Sequence, residues 1–249
     1  LSKLTTVYGL HAVQAVLKSA PQRVQALYTQ QGRQDQRLQK ILNLAKVNDL
    51  PVKPLARARL DALCDGENHQ GVVAECTPGE IHDEGYLEAL LTKLDRPPFL
   101  LILDGVTDPH NLGACLRSAE AAGVDAVIAP KDKSAGLSPV ARKVACGAAE
   151  VVPFIPVTNL ARTMKQLQMA GVWLVGAAGE AEQSLYQMAL TGPIGLVMGA
   201  EGEGLRRLTR EHCDHLISIP MAGSVSSLNV SVATGVCLFE AVRQRNSAS

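Results

Sequence analysis

Apolar and polar positions follow two rhythms along this chain. Leu10, Val13, Val16 and Leu17 recur at helical spacing and predict a helix over residues 9–19, closed by Pro21. Leu38, Ile41, Leu42 and Ala45 predict a second helix over 34–47, and 57–63 reads as a shorter third. Between them, 24–30, 51–54 and 71–74 read as strands. Prolines at both ends of 51–54 place that strand at an edge, because proline cannot donate to a ladder. From Phe99 onward the rhythm becomes strand then helix, repeated. Strands are expected at 99–103, 126–129, 151–155, 173–177, 194–198 and 216–219. Helices are expected at 112–122, 139–146, 160–170, 205–212 and 229–243. The runs Leu100-Leu101-Ile102-Leu103 and Ile194-Gly195-Leu196-Val197-Met198 are continuously apolar, as a sheet covered on both faces requires.

The pattern therefore predicts an α/β chain with a parallel-sheet domain over 99–249 and a small α/β domain over 1–76. Pro78-Gly79 and Pro97-Pro98 bracket an acidic stretch with one short helix near 86–94, which marks 77–98 as a linker. At 249 residues there is length for a sizeable core, and with 47% hydrophobic but 3% aromatic residues that core must be aliphatic. No apolar run approaches the roughly 20 residues of a membrane span, so no membrane partner is expected. A secretory signal is not supported either. The six cysteines form no CxxC pair, which suits reduced thiols and a cytoplasmic location. His212-Cys213-Asp214-His215 stands alone, whereas structural zinc sites draw on two such pairs, so no metal is expected. Charge is uneven: residues 1–75 carry ten Lys/Arg against six Asp/Glu, and 76–249 carry fourteen against eighteen. A basic front on an acidic remainder hints at an anionic partner such as nucleic acid. Asn68-His69-Gln70-Gly71 can be either a nucleic-acid contact or a turn.

Ligands of parallel sheets bind beyond the carboxyl ends of the strands, which directs attention to the loops after 103, 198 and 219. In the first, Asn111 stands where a helix N-cap belongs, so capping and ligand contact are both open. Arg117 lies five residues after Leu112, about 140° round, and so points away from the core face. It is either a solvated surface residue or a phosphate-binding or catalytic one. The second loop, Gly199-Ala200-Glu201-Gly202-Glu203-Gly204, lacks the dinucleotide spacing of glycines, and its two carboxylates would repel phosphates. It suits a ligand that takes close backbone contact and offers Glu201 a cation or hydroxyl. The third runs from Ile219-Pro220 through Ser226-Ser227-Leu228-Asn229 into a helix that is apolar nearly all round. Such a helix is buried in a core or against a partner chain. No His or Asp beside Ser227 suggests a nucleophile, so its hydroxyl reads as a hydrogen-bonder.

In this order, Asn111 with Arg117, the Gly199–Gly204 loop with Glu201, and Ile219-Pro220-Met221 with Ser226-Ser227-Leu228-Asn229 closely resemble the motifs of the SpoU branch of the SPOUT RNA 2′-O-methyltransferases. The resemblance spans the whole chain, including Val7-Tyr8-Gly9 and His69-Gln70-Gly71. It implies a carboxyl-terminal parallel-sheet domain with a deep trefoil knot. It also implies an amino-terminal α/β domain like ribosomal protein L30e that presents RNA, a homodimer paired through the carboxyl-terminal domain, and S-adenosyl-L-methionine as cofactor. The implied reaction is 2′-O-methylation of a guanosine ribose in 23S ribosomal RNA, in the peptidyl-transferase region. Another ribosomal or transfer RNA nucleotide, or RNA binding without catalysis, is the alternative. By motif matching, Gly199, Ile219 and Leu228 would contact the cofactor, and Asn111, Arg117, Glu201, Ser227 and Asn229 would line the reaction site.

Overall fold

The computed structural model describes residues 4–79 and 82–247. The chain divides into two compact units, one made of residues up to Glu80 together with Cys146–Val151, and the other of the rest.

In the first unit, β1 (Thr5–Tyr8), α1 (Leu10–Ser19), β2 (Val24–Gln30), α2 (Gln36–Val47), β3 (Val52–Leu55), α3 (Arg57–Leu63) and β4 (Val72–Cys76) build a four-stranded sheet in the order β1-β4-β2-β3. β3 lies at an edge, as its prolines require, and β1 is a short strand that the pattern did not signal. The alternation in β4 explains the two layers: Val72, Ala74 and Cys76 join the core under α1 and α2, whereas Val73 packs with Leu60 and Cys64 under α3. The segment 68–71 is a turn whose side chains are used internally. His69 is buried, its Nδ1 accepts the Gly71 N–H at 2.9 Å, and its Nε2 lies 2.9 Å from Asp61 Oδ1. Gln70 Oε1 accepts the Leu10 N–H at 3.1 Å, supplying the partner that the start of α1 lacks.

In the second unit, α4 (Glu84–Lys93) packs through Leu87 on a parallel sheet. The sheet is built from β5 (Phe99–Asp104), β6 (Ala126–Pro130), β7 (Phe154–Val157), β8 (Trp173–Ala177), β9 (Ile194–Gly199) and β10 (His215–Ile217), in the order β10-β8-β9-β5-β6-β7. All five pairings are parallel. Every residue of β5 and β9 is buried, which is why these two strands carry the longest apolar runs. Around the sheet lie α5 (Pro109–Ala121), α6 (Pro139–Val144), α7 (Leu160–Met169), α8 (Arg207–Glu211) and α9 (Val230–Ser247). The strand expected at 151–155 begins at Phe154 instead: Val151 is exposed and follows a 3₁₀ turn over Ala148–Glu150, and Pro153 separates that turn from the strand. α6 approaches α5 closely at Gly113, where a Cβ would fall 2.5 Å from the Ala141 carbonyl oxygen.

α9 is not buried all round. Cys237, Leu238 and Ala241 face the core, but Val232 and Phe239 are 52% and 49% exposed. With the half-buried Val236 between them they lie at i, i+4 and i+7, one apolar stripe exposed at its two ends. Near its end the helix carries a buried carboxylate, Glu240, which accepts two hydrogen bonds from Arg243 and one from Gln244, all at 2.8 Å. The bonds from Arg243 are the main cause that holds the Glu240 carboxyl down to about 2. A folded value below the unfolded one stabilises at high pH. The contribution is complete above about pH 4.5 and is lost as pH falls towards 2. Glu240→Gln is therefore expected to flatten the acid limb of stability. Urea midpoints at pH 7, 4.5 and 3 check this, and a wild-type-like slope in the variant would disprove the assignment.

Candidate active site

β5 and β9 run side by side, with Asp104 opposite Gly199 at their carboxyl ends. The chain moves outward from β5 to β6 to β7, then crosses to β8 on the other side of β9. The order therefore reverses at the β5–β9 boundary, the crevice where open α/β sheets take their ligands.

In the loop after β5, the N-cap is Asp108, not Asn111. The Asp108 carboxylate accepts the N–H groups of His110 and Asn111 at 3.1 and 3.4 Å, and Pro109 fills the first helical position. α5 thus starts three residues before the apolar spacing predicts, and the Asn111 side chain is released from capping. After β9, the chain turns back on itself: Ala200 and Gly204 exchange backbone hydrogen bonds of 3.0 and 2.9 Å. Gly199 makes that return possible, since a Cβ there would lie 2.1 Å from the Gly204 carbonyl carbon. Glu201 rides exposed at the tip of this small hairpin. At the head of α9, Asn229 turns its Oδ1 inward to accept from Ser231 N at 3.0 Å and Ser231 Oγ at 2.6 Å, and so leaves its Nδ2 to point out.

Three side chains from three loops then meet. Asn111 Nδ2 donates to Glu201 Oε2 at 3.2 Å. Asn229 Nδ2 donates to Asn111 Oδ1 at 3.0 Å and to the same Glu201 oxygen at 3.2 Å. One carboxylate oxygen held by two amides is a fixed, negatively charged hydrogen-bond acceptor beside the crevice. Arg117 is exposed on α5, six residues or ~9 Å along the axis from Asn111. Ser227 is exposed in the loop before α9, and Ile219 and Leu228 are half-buried at its two ends. Among the described residues, the main chain of 219–228 takes no part in the backbone hydrogen bonds that tie the neighbouring loops. It runs between two apolar side chains, Ile219 and Leu228.

Two residues that the sequence did not single out hold the hairpin in place. Asp104, with no exposed surface, accepts from Arg206 N at 2.9 Å and from the Arg206 Nε at 2.5 Å, and the Arg206 Nη2 also pairs with it. A carboxylate ending an all-apolar strand was the available signal. Asp104 grips the chain just beyond the hairpin, while its own backbone pairs with the residue just before it.

No group of three metal-binding side chains stands together among the described residues. In the segment 212–215, the Asp214 carboxylate is taken up by Leu174 N at 2.7 Å and Gln168 Nε2 at 2.8 Å. None of the six cysteines, all of them among the described residues, is in a disulfide. Burial pushes the Cys115 thiol up to about 11 and that of Cys237 to about 12, so neither is poised as a nucleophile. No helix among the described residues is long and apolar enough to cross a membrane.

Comparison with known proteins matches the chain to a family. The model of the SpoU rRNA Methylase family matches residues 98–239, and that of RNA 2′-O ribose methyltransferase substrate binding matches 6–82. The chain is 62% identical over 245 residues to the 23S rRNA (guanosine-2′-O-)-methyltransferase RlmB of Pseudomonas putida, covering 98% of each chain. It is 62% identical over 240 residues to the protein of the same name from Escherichia coli K12, covering 96% of this chain and 98% of that one. Among solved structures, the SpoU methyltransferase AviRb from Streptomyces viridochromogenes in complex with the cofactor AdoMet is similar at a TM-score of 0.76 and 25% identity. That match covers 98% of this chain and 91% of that one.

Proposed function

Because the chain belongs to the SpoU rRNA methylase family, we infer that it transfers a methyl group from S-adenosylmethionine to the ribose 2′-oxygen of a guanosine in 23S ribosomal RNA. Full-length identity of 62% to enzymes of that activity supports the substrate. The observation that carries the chemistry is the joining of Asn111, Glu201 and Asn229 at the β5–β9 crevice.

The loops at that crevice fit the cofactor. Ile219 and Leu228 offer apolar surface, and the main chain between them offers the donors and acceptors that a nucleoside base needs. Gly199, Ile219 and Leu228 are accordingly assigned to holding it. When bound, S-adenosylmethionine supplies an electrophilic methyl on a sulfonium, and the leaving thioether is neutral, so the reaction itself calls for no metal. The residues of the chain have to hold the 2′-oxygen in line and ease the loss of its proton. Orientation alone is worth up to about 7–11 kcal/mol in favourable cases. Glu201, fixed by the two amides, is assigned to accepting a hydrogen bond from the nucleotide, with Ser227 and Asn229 as further hydrogen-bonders. A guanidinium stays protonated in proteins, so Arg117 is assigned to gripping a phosphate and polarising the 2′-hydroxyl rather than to acting as a free base. On that assignment Arg117→Lys, which keeps the charge and loses the fork, is expected to lower turnover at least tenfold with cofactor affinity retained. Near-normal turnover would remove the specialised role.

We further propose a homodimer paired through α9, whose stripe of Val232, Val236 and Phe239 supports a second copy as its cover. Phe239→Glu should yield a monomer by light scattering that has also lost cofactor affinity, because the pocket loop runs directly into this helix. A monomer that binds S-adenosylmethionine tightly would refute that coupling. Residues 1–76 are read as the RNA-presenting domain, 77–98 as the connection and 99–249 as the knotted catalytic domain, acting in the cytoplasm where ribosomal RNA is made. Mass mapping of 2′-O-methylation on ribosomal and transfer RNA from cells lacking the protein tests the whole reading. Loss of one guanosine methylation in 23S RNA is expected, and an unchanged 23S pattern would overturn it.

A further inference from the structure

Net charge in residues 76–249 is acidic, but one segment reverses it. Residues 131–143 hold Lys131, Lys133, Arg142 and Lys143 against Asp132 alone, leaving ten Lys/Arg against seventeen Asp/Glu in the rest of 76–249. All four cations are exposed.

The place of the segment in the fold matters as much as its charge. It leaves β6 at its carboxyl end, beside the β5–β9 crevice. Ser134 Oγ donates to the Val106 carbonyl at 3.1 Å, and Ala135 N donates to the same carbonyl at 2.7 Å. Ser134 and Ala135, which directly follow Lys133, are thereby bonded to the loop that leads, through the Asp108 cap, to Asn111. Lys133 takes a left-handed backbone conformation at φ 54°, uncommon for a side-chain-bearing residue, to make this turn over Gly105. α6 then returns against α5, held by the close approach at Gly113, with Arg142 and Lys143 on its outer side. The cations are thus carried on a braced platform beside the reaction site rather than on a loose tail.

We propose that the segment 131–143 is a second RNA-gripping surface, in which Lys131 and Lys133, extended by Arg142 and Lys143, take phosphates of the nucleotides flanking the target ribose. This rests on the methyltransferase reading above. Its physical basis is that Lys/Arg contacts to phosphates release counterions, and each contact steepens the fall of affinity with salt by about 0.7 in log-log slope for a single strand. A residue on the crevice rim that neutralises phosphates places the strand without reading its sequence.

The test is the salt dependence of binding of a 23S RNA fragment to the full-length protein. Lys131→Gln with Lys133→Gln should reduce the slope by about 1.4, so that raising salt from 50 to 200 mM weakens the variant about sevenfold less than wild type. KM for RNA should rise while affinity for S-adenosylmethionine is retained. Arg142→Gln with Lys143→Gln should move both readouts the same way. Lys93→Gln with Lys165→Gln, exposed positions on α4 and α7, removes equal charge away from the crevice and should leave the slope unchanged. An unaltered slope in the first variant, or an equal loss in the control pair, would overturn the proposal. Failure of the underlying reading is separately visible, since wild type would then not methylate the fragment at all.

Discussion

Gly199→Ala is expected to abolish both cofactor binding and methyl transfer. The added Cβ would lie 2.1 Å from the Gly204 carbonyl carbon, 2.3 Å from its oxygen and 2.4 Å from Leu205 N. All three are backbone atoms, so no side chain can swing aside. The backbone itself is tied: Ala200 and Gly204 share two hydrogen bonds, and Arg206 is bonded to Asp104. Relief has to come from moving the hairpin, and the hairpin carries Glu201. A shift of 1 Å is enough to break the 3.2 Å bonds from Asn111 and Asn229 and costs about 100-fold in rate in comparable sites. Calorimetric titration with S-adenosylmethionine and a 2′-O-methylation assay measure the two losses. A variant within threefold of wild type in both would show that the hairpin is not dictated by this contact.

Arg206→Leu is expected to destabilise the fold by about 3 kcal/mol, and more than Asp104→Asn does. Removing the guanidinium leaves the fully buried Asp104 charge with only the backbone N–H of the Arg206 position from this pair. Stranding a buried charge costs about 3–5 kcal/mol, and the low end applies because the Arg206 side chain is 44% exposed and water can enter where it stood. Asp104→Asn instead keeps an acceptor for the backbone N–H and lets the half-exposed guanidinium turn to solvent. For a chain of this length, about 3 kcal/mol corresponds to a fall of roughly 6–12 °C in melting temperature. Thermal denaturation of the two variants decides it. An Asp104→Asn protein less stable than Arg206→Leu would mean that the ion pair itself, rather than the burial of one carboxylate, holds the hairpin.

Legibility in the sequence followed the range of the interaction concerned. Leu38, Ile41 and Ala45 marked α2, and the unbroken apolar runs of β5 and β9 marked a doubly covered parallel sheet, because burial of one stripe or of both faces is written into local spacing. The Val24–Gln30 strand and the Arg57–Leu63 helix came out at their observed limits for the same reason. Where two local readings were equally good, spacing could not choose. Asp108 and Asn111 are both capping types, and only the Asp108-Pro109 pairing, seen with its hydrogen bonds, shows which one caps and which one is released. Asn68-His69-Gln70-Gly71 likewise held two readings until Leu10 and Asp61 were found to use its side chains.

The residues of the candidate site were proposed from a resemblance, motif by motif, but their assembly was not legible. Asn111, Glu201 and Asn229 are bonded across 90, 28 and 118 positions of chain, and Asp104 grips Arg206 across 102. Nothing periodic links positions so far apart. The strand order brings them together, since placing β9 beside β5 sets the two loops side by side. The helix after Asn229 shows the same division. Its sequence determined that it is apolar nearly all round, whereas only the packed chain decided which side the core covers and which side, through Val232 and Phe239, stays exposed. Local propensity and burial pattern are properties of neighbours along the chain; a hydrogen-bonded site and an uncovered face are properties of neighbours in space.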